Sequence, residues 1–203
     1  MMARGSRLYL TSRCVWPCLA LAVGAGAILG WLADRLPLPV PLNQVGATVS
    51  SLAWVAFLAV TIATYPATLA LPGFETARNW RLRRLRLVYL GLLVGAGVAF
   101  AASVMVWALV LGIDPVVAFL AWLAWLFLSG LALLTAAILP AWPSWIPGLA
   151  ALLLMTVVGT NRWQQTPRAW AILFADHPTS QLITASVVLG IAGGIGHLYA
   201  RAA

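Results

Sequence analysis

The sequence predicts an all-α, polytopic integral membrane protein of six transmembrane helices with both termini in the cytoplasm, and three observations carry that prediction. Hydrophobic residues make up 63% of the chain and charged residues 8%, a balance outside that of soluble domains. Six apolar stretches, near 14–33, 47–71, 87–111, 116–139, 146–160 and 181–199, approach the ~20 residues a helix needs to cross roughly 30 Å of hydrocarbon. An even number of spans puts both ends on one side. Nine arginines then share that side (Arg4, Arg7, Arg13, Arg78, Arg81, Arg83, Arg84, Arg86 and Arg201), against Arg35, Arg162 and Arg168 on the other, and arginine-rich short loops stay cytoplasmic.

Taken in order, Arg4, Arg7 and Arg13 lead into an apolar run that continues to Gly30-Trp31-Leu32 without a cleavage site, which reads as an uncleaved signal anchor. Cys14 and Cys18 flank Pro17 at the cytoplasmic mouth of this span, where thiols stay reduced; with no further ligands nearby they read as small buried hydrophobes. An outer loop, Asp34 to Gly46, precedes the second span, in which Tyr65-Pro66 marks a kink of the sort membrane helices tolerate. The basic segment 73–86 follows. Spans three and four are joined by a tight turn at Asp114-Pro115. The proline- and tryptophan-rich run from Pro140 to Pro147 must supply part of the crossing of the short fifth span, or the bilayer must thin there.

The outer segment 161–180 contains Arg168-Ala169-Trp170-Ala171-Ile172-Leu173-Phe174, too short to cross but apolar enough to enter the bilayer. It reads as an interfacial or re-entrant helix, or as a plain surface loop. Asp176-His177-Pro178 is the one pairing able to support acid/base or metal chemistry, and it reads equally as the turn that starts the last helix, with Asp176 or Thr179 as its cap. Glycines four apart, Gly26 with Gly30, Gly91 with Gly95 and Gly190 with Gly194, suggest close helix packing within or between chains. Trp16, Trp31, Trp80, Trp142, Trp145, Trp163 and Trp170 fall near span ends, as an interfacial belt requires. Trp107, Trp122 and Trp125 sit deeper, facing lipid, packing, or lining a passage. The loops are too short to bury cores of their own, so residues 1–203 form one membrane domain.

Composition and motifs also exclude functions. The formal charge of +8 reflects the positive-inside bias rather than nucleic-acid binding. All twelve basic residues are arginine, a bias expected of a GC-rich bacterial genome and hence of a bacterial plasma membrane. Every acid and arginine falls in a loop or at a span end, which leaves no proton relay. A paired-carboxylate site, a phosphate-binding loop and a histidine-rich metal site are missing, and His197 has no acid close in sequence. The chain is therefore expected not to be an enzyme and to bind no metal or cofactor.

The segment Phe74-Glu75-Thr76-Ala77-Arg78-Asn79-Trp80-Arg81-Leu82-Arg83-Arg84-Leu85-Arg86 has two readings. One is a topogenic signal in contact with anionic headgroups. The other is a docking helix, its acid at the N-terminal end and its bases at the C-terminal end as a helix dipole favours. A basic lead, six spans, a basic segment after span two and a short outer helix before span six resemble the membrane subunits of ABC-2-type transporters of the small actinobacterial kind, and residues 74–86 are similar to the corresponding segment of those proteins.

The resemblance implies a coupling helix in which Phe74, Glu75, Arg78, Trp80, Arg81, Arg83 and Arg84 contact a separate ATP-binding cassette protein. ATP is then bound and hydrolysed by that partner, and a second membrane protomer, identical or related, completes the exporter. A passage without buried charge suits a hydrophobic, amphipathic or cationic solute. The same sequence fits a non-transporting accessory, scaffold or immunity subunit of a membrane complex.

Overall fold

A computed structural model describes residues 14–33, 38–39, 48–49, 52–68, 80–139, 143–158, 171–174 and 178–199. They form six helices: α1 (Val15–Ala33), α2 (Leu52–Thr68), α3 (Trp80–Leu111), α4 (Val116–Ile138), α5 (Ile146–Val158) and α6 (Ser180–Tyr199). Among the described residues the only extended pairing is a two-residue antiparallel ladder, with Leu38 opposite Val49 and Pro39 opposite Thr48. The molecule is all-helical.

Among the described residues three stretches are long and apolar enough to cross a membrane: Arg83–Leu111 within α3, α4, and α6. The apolar stretches Val15–Ala25, Leu52–Ala67 and Ile146–Val158 are shorter. At 13 residues, α5 covers about 20 Å, short of a bilayer core. The residues before it fold as a turn, in which the Ile146 N–H donates to the Pro143 carbonyl at 3.1 Å.

Outward faces are as apolar as the interior. Leu21, Ile28, Leu109 and Val110 are each more than 60% exposed, which in water would be a broad sticky surface and in lipid is an ordinary one.

Helix α4 is the centre of the bundle, touching α2, α3, α5 and α6, while α1 packs on α2 and α3. Its small residues Ala118, Ala121, Ala124, Gly130 and Ala132 are buried, and small faces let helix backbones approach where no hydrophobic effect drives association. Trp125, Leu123 and Leu128 of α4, Phe100 of α3, Leu152 of α5 and Leu182 of α6 are buried almost completely. The Trp125 and Phe100 rings lie 5.4 Å apart, so this deep tryptophan is packing. Trp16 and Trp145, near helix ends, are half exposed.

The closest crossing, between α4 and α6, is made by glycines other than the expected pairs. A Cβ on Gly130 would fall on the Leu189 carbonyl and 2.6 Å from the Gly190 nitrogen, and one on Gly193 would lie 2.8 Å from the Gly130 Cα. Gly91 and Gly95 face open space, and Gly190 and Gly194 have only ordinary contacts at 3.9 Å. Spacing alone does not say which face of a helix meets a neighbour. The side chains around Gly26 and Gly30 lie outside the described residues.

Local chemistry sets the helix ends. Gly112, at φ +70°, takes the left-handed conformation that ends α3. The Ile113 N–H then reaches back to the Ala108 carbonyl at 2.8 Å, the six-to-one bond of a Schellman cap. The Asp114 carboxylate accepts from the Val116 N–H at 2.9 Å, completing the turn into α4. At α6 the Thr179 hydroxyl accepts from the Leu182 N–H at 3.2 Å, an N-cap; Asp176 and His177 lie outside the described residues. Within the outer segment, Ile172–Phe174 forms one 3₁₀ turn against α5 and α6, with Ala171 and Phe174 buried.

Candidate functional site

The first surprise of the basic segment is its continuity with a span. Instead of a loop giving way to a helix near residue 87, α3 starts by Trp80 and runs 32 residues without a break, about 48 Å. Leu82, Leu85 and the arginines are good helix formers without an intervening Gly or Pro. Arg81, Arg83, Arg84 and Arg86 thus occupy its first turns. Phe74, Glu75 and Arg78 lie outside the described residues, and of Trp80 and Arg81 only the backbone is described.

The side chains described at this end differ in exposure. Arg83 and Arg84 are exposed, Leu85 is half-buried and Arg86 is buried. Arg86 Nη1 donates to the His197 carbonyl at 2.9 Å. That carbonyl lies in the last turn of α6, where helix carbonyls lack intrahelical donors and the dipole end is negative; a guanidinium answers both needs at once.

One turn further along α3, the Tyr89 hydroxyl donates to the Ala63 carbonyl of α2 at 2.8 Å, close to the point where Pro66 has removed a helix N–H. The Tyr89 ring lies 5.5 Å from that of His197. The Arg83 guanidinium sits 4.8 Å from the centre of the Tyr199 ring, within cation–π range. Arg83, Arg86 and Tyr89, three residues apart along one helix face, therefore bind the end of α3 to the ends of α6 and α2.

Sequence reasoning did not find this clasp. Arg86 reads as one more loop arginine and His197 as an isolated side chain, because their meeting is 111 residues long range. The available signal was the Arg83–Arg86–Tyr89 spacing.

Replacing Arg86 by Leu is expected to lower the melting point of the purified protein and to speed amide exchange over residues 195–199. A hydrogen bond from a charged group is worth about 1.5–3 kcal/mol; Arg86→Lys, a point charge with flexible donors, should recover part of the loss. Unchanged exchange would show that Arg86 does not hold the end of α6.

Comparison with protein-family models, curated proteins and solved structures found no match to this chain. Among the described residues no group of three or more His, Cys, Asp or Glu could hold a metal. Cys14 is exposed and Cys18 half-buried, both as free thiols, with Cys14 at φ +53° just before α1. What the arrangement offers is mechanical: a basic helix end continuous with a helix that packs on α1, α4 and α6.

Proposed function

We propose that this chain is the membrane-embedded subunit of an ATP-driven exporter of the ABC-2-like kind, with six spans, both ends in the cytoplasm of a bacterial cell, and a separate ATP-binding cassette protein docked on residues 73–86. The observation that carries this reading is the unbroken α3, which brings the exposed Arg83 and Arg84 and the bundle-packed Leu93, Phe100 and Val104 onto one rigid element. A partner that pulls or tilts the basic end moves the membrane helix with it, as conversion between two states by differential contacts requires. The chain itself supplies no ATP chemistry; it supplies the lever and, with a second protomer, the walls of a path for a hydrophobic, amphipathic or cationic solute.

A second reading, an accessory subunit that stabilises another membrane complex, is favoured by the near-complete burial of Trp125, Phe100 and Leu128 where the helices meet. The two part on what accompanies the protein. Tagged, gently solubilised from its native host and purified, it should bring down an ATP-binding protein in stoichiometric amount with ATPase activity. Recovery alone, or with a membrane complex lacking an ATPase, would defeat the transporter reading and leave the accessory one.

A further inference from the structure

Most hydroxyls in this bundle are satisfied within their own helix. Thr61, Thr64, Ser103, Thr135 and Thr156 each donate to the carbonyl four residues earlier, at 2.7–2.9 Å. Ser186 and Trp125, which share one cavity, break the pattern, as do the indoles of Trp54 and Trp122 elsewhere in the bundle. Ser186 of α6 is fully buried and its Oγ has no hydrogen-bond partner among the described residues; the same holds for the indole Nε1 of Trp125 on α4, which is 1% exposed. A third residue of that cavity, Ser129, makes only a long bond of 3.3 Å to the Leu126 carbonyl. Burying a hydroxyl or an indole N–H without a partner costs free energy, and in hydrocarbon no bulk water relieves it.

These three residues line one cavity, at whose wall the Nε1 edge of Trp125 packs against Gly97 of α3, an added Cβ there lying 2.6 Å from Nε1. Between α3, α4 and α6 lies a cleft of about 280 Å³ whose walls include Leu93, Val94, Trp125, Ser129, Ser186 and Gly190. It is only partly enclosed, and the exposed Val187 and Ile191 at its rim place its mouth on the outer apolar surface of the bundle. Its size lies near the lower end of the about 300–1,000 Å³ typical of small-molecule sites, which are likewise mostly apolar with a few placed polar groups.

We infer that this lateral cleft binds an uncharged, lipid-like molecule that enters from the bilayer and presents a carbonyl or hydroxyl oxygen to Trp125 and Ser186. The indole N–H is a donor only, so the ligand must bring an acceptor; a serine hydroxyl can donate to the same oxygen or accept from a ligand hydroxyl. Among the described residues no charged side chain lines the cleft, which disfavours a phosphate or ammonium head at this depth. The inference rests on the reading that the bundle lies in a membrane, not on transport. If the chain is an exporter, the cleft narrows its solute class from hydrophobic, amphipathic or cationic to neutral and amphipathic. Leu93 and Val94 belong to the helix that carries the arginines, so the cleft and the basic end share one rigid element.

The test uses the full chain in phosphatidylcholine nanodiscs and two photoactivatable diazirine probes of equal chain length, a monoacylglycerol and a plain hydrocarbon. The monoacylglycerol should label peptides containing Trp125–Ser129 and Ser186–Ile191 about three- to tenfold more than the hydrocarbon does, the worth of one or two neutral hydrogen bonds. Ser186→Ala should bring its labelling part of the way down to the hydrocarbon level, the Trp125 indole remaining as a donor, while the melting point stays the same or rises, since an unpartnered hydroxyl is being removed. Val94→Trp, which fills the cleft from its rim, should abolish labelling by both probes there.

Equal labelling by the two probes would overturn the inference, reducing the cleft to lipid-facing surface. Labelling by the monoacylglycerol that Ser186→Ala leaves unchanged would overturn it as well. Neither outcome depends on whether an ATPase copurifies, so the two proposals fail separately.

Discussion

Gly193→Leu is expected to separate α4 from α6 and to leave little folded protein after mild heating. A side chain at Gly193 meets the backbone of Gly130, with the first added carbon only 2.8 Å from the Gly130 Cα, and backbone cannot rotate aside as a side chain can. The helices must move apart, and they make the most extensive helix–helix contact in the bundle. Overpacking a well-fitted interior costs about 1–3 kcal/mol, and this site should fall at the upper end because both partners are main chain.

Gly91→Leu supplies the comparison. It faces open space on α3, gains helix propensity, and adds one more apolar group to an already apolar face. Monodispersity after a temperature ramp, read by size-exclusion chromatography in detergent, measures both variants. If Gly91→Leu proves as damaging as Gly193→Leu, the α4–α6 crossing is not what holds the bundle.

Reversal of the basic end should have the largest effect on function. Arg81→Glu, Arg83→Glu and Arg84→Glu together change the charge at the start of α3 by six units, and placing like charges across an interface costs several kcal/mol. Capture of the proposed ATPase should then fall by about a hundredfold or more, each tenfold being ~1.4 kcal/mol, while the protein still inserts. Arg83 has a second duty, its guanidinium lying over the Tyr199 ring, so the triple variant also loosens the end of α6 slightly, by about 0.5–1 kcal/mol for an exposed cation–π pair.

The matching Arg-to-Gln triple keeps the charge change to half and guards against an inverted topology. It should weaken capture by an intermediate amount and steepen no salt dependence, whereas wild-type binding should weaken as salt screens it. Undiminished ATPase recovery with the Glu triple would reduce the segment to a topology signal.

Helices were legible in the chain because their cause is local. Long apolar runs interrupted by Asp114 and Pro115, or preceded by Pro143 and opened by Pro147 in the first turn of α5, state where a helix can and cannot run, and Thr179 before an apolar stretch announces a cap that the Leu182 N–H uses. Less legible was the start of α3. Arginine is as good a helix former as it is a loop residue, and hydropathy marks where the apolar part begins rather than where the helix does, so the basic turns read as a loop or a separate docking helix and fold as part of the span.

The sequence by itself determined that this is an apolar, all-helical chain with five of its twelve arginines in one segment, because composition and the length of apolar runs are properties of single segments. Only the tertiary structure decided which glycines touch, that Arg86 closes the end of α6, and that Trp125, Ser129 and Ser186 gather around one cleft. Each of those depends on the rotation of a helix about its own axis relative to its neighbours. In a helix that is hydrophobic on every side no amphipathic stripe announces that rotation, and it is set instead by how small and large side chains from different helices fit together.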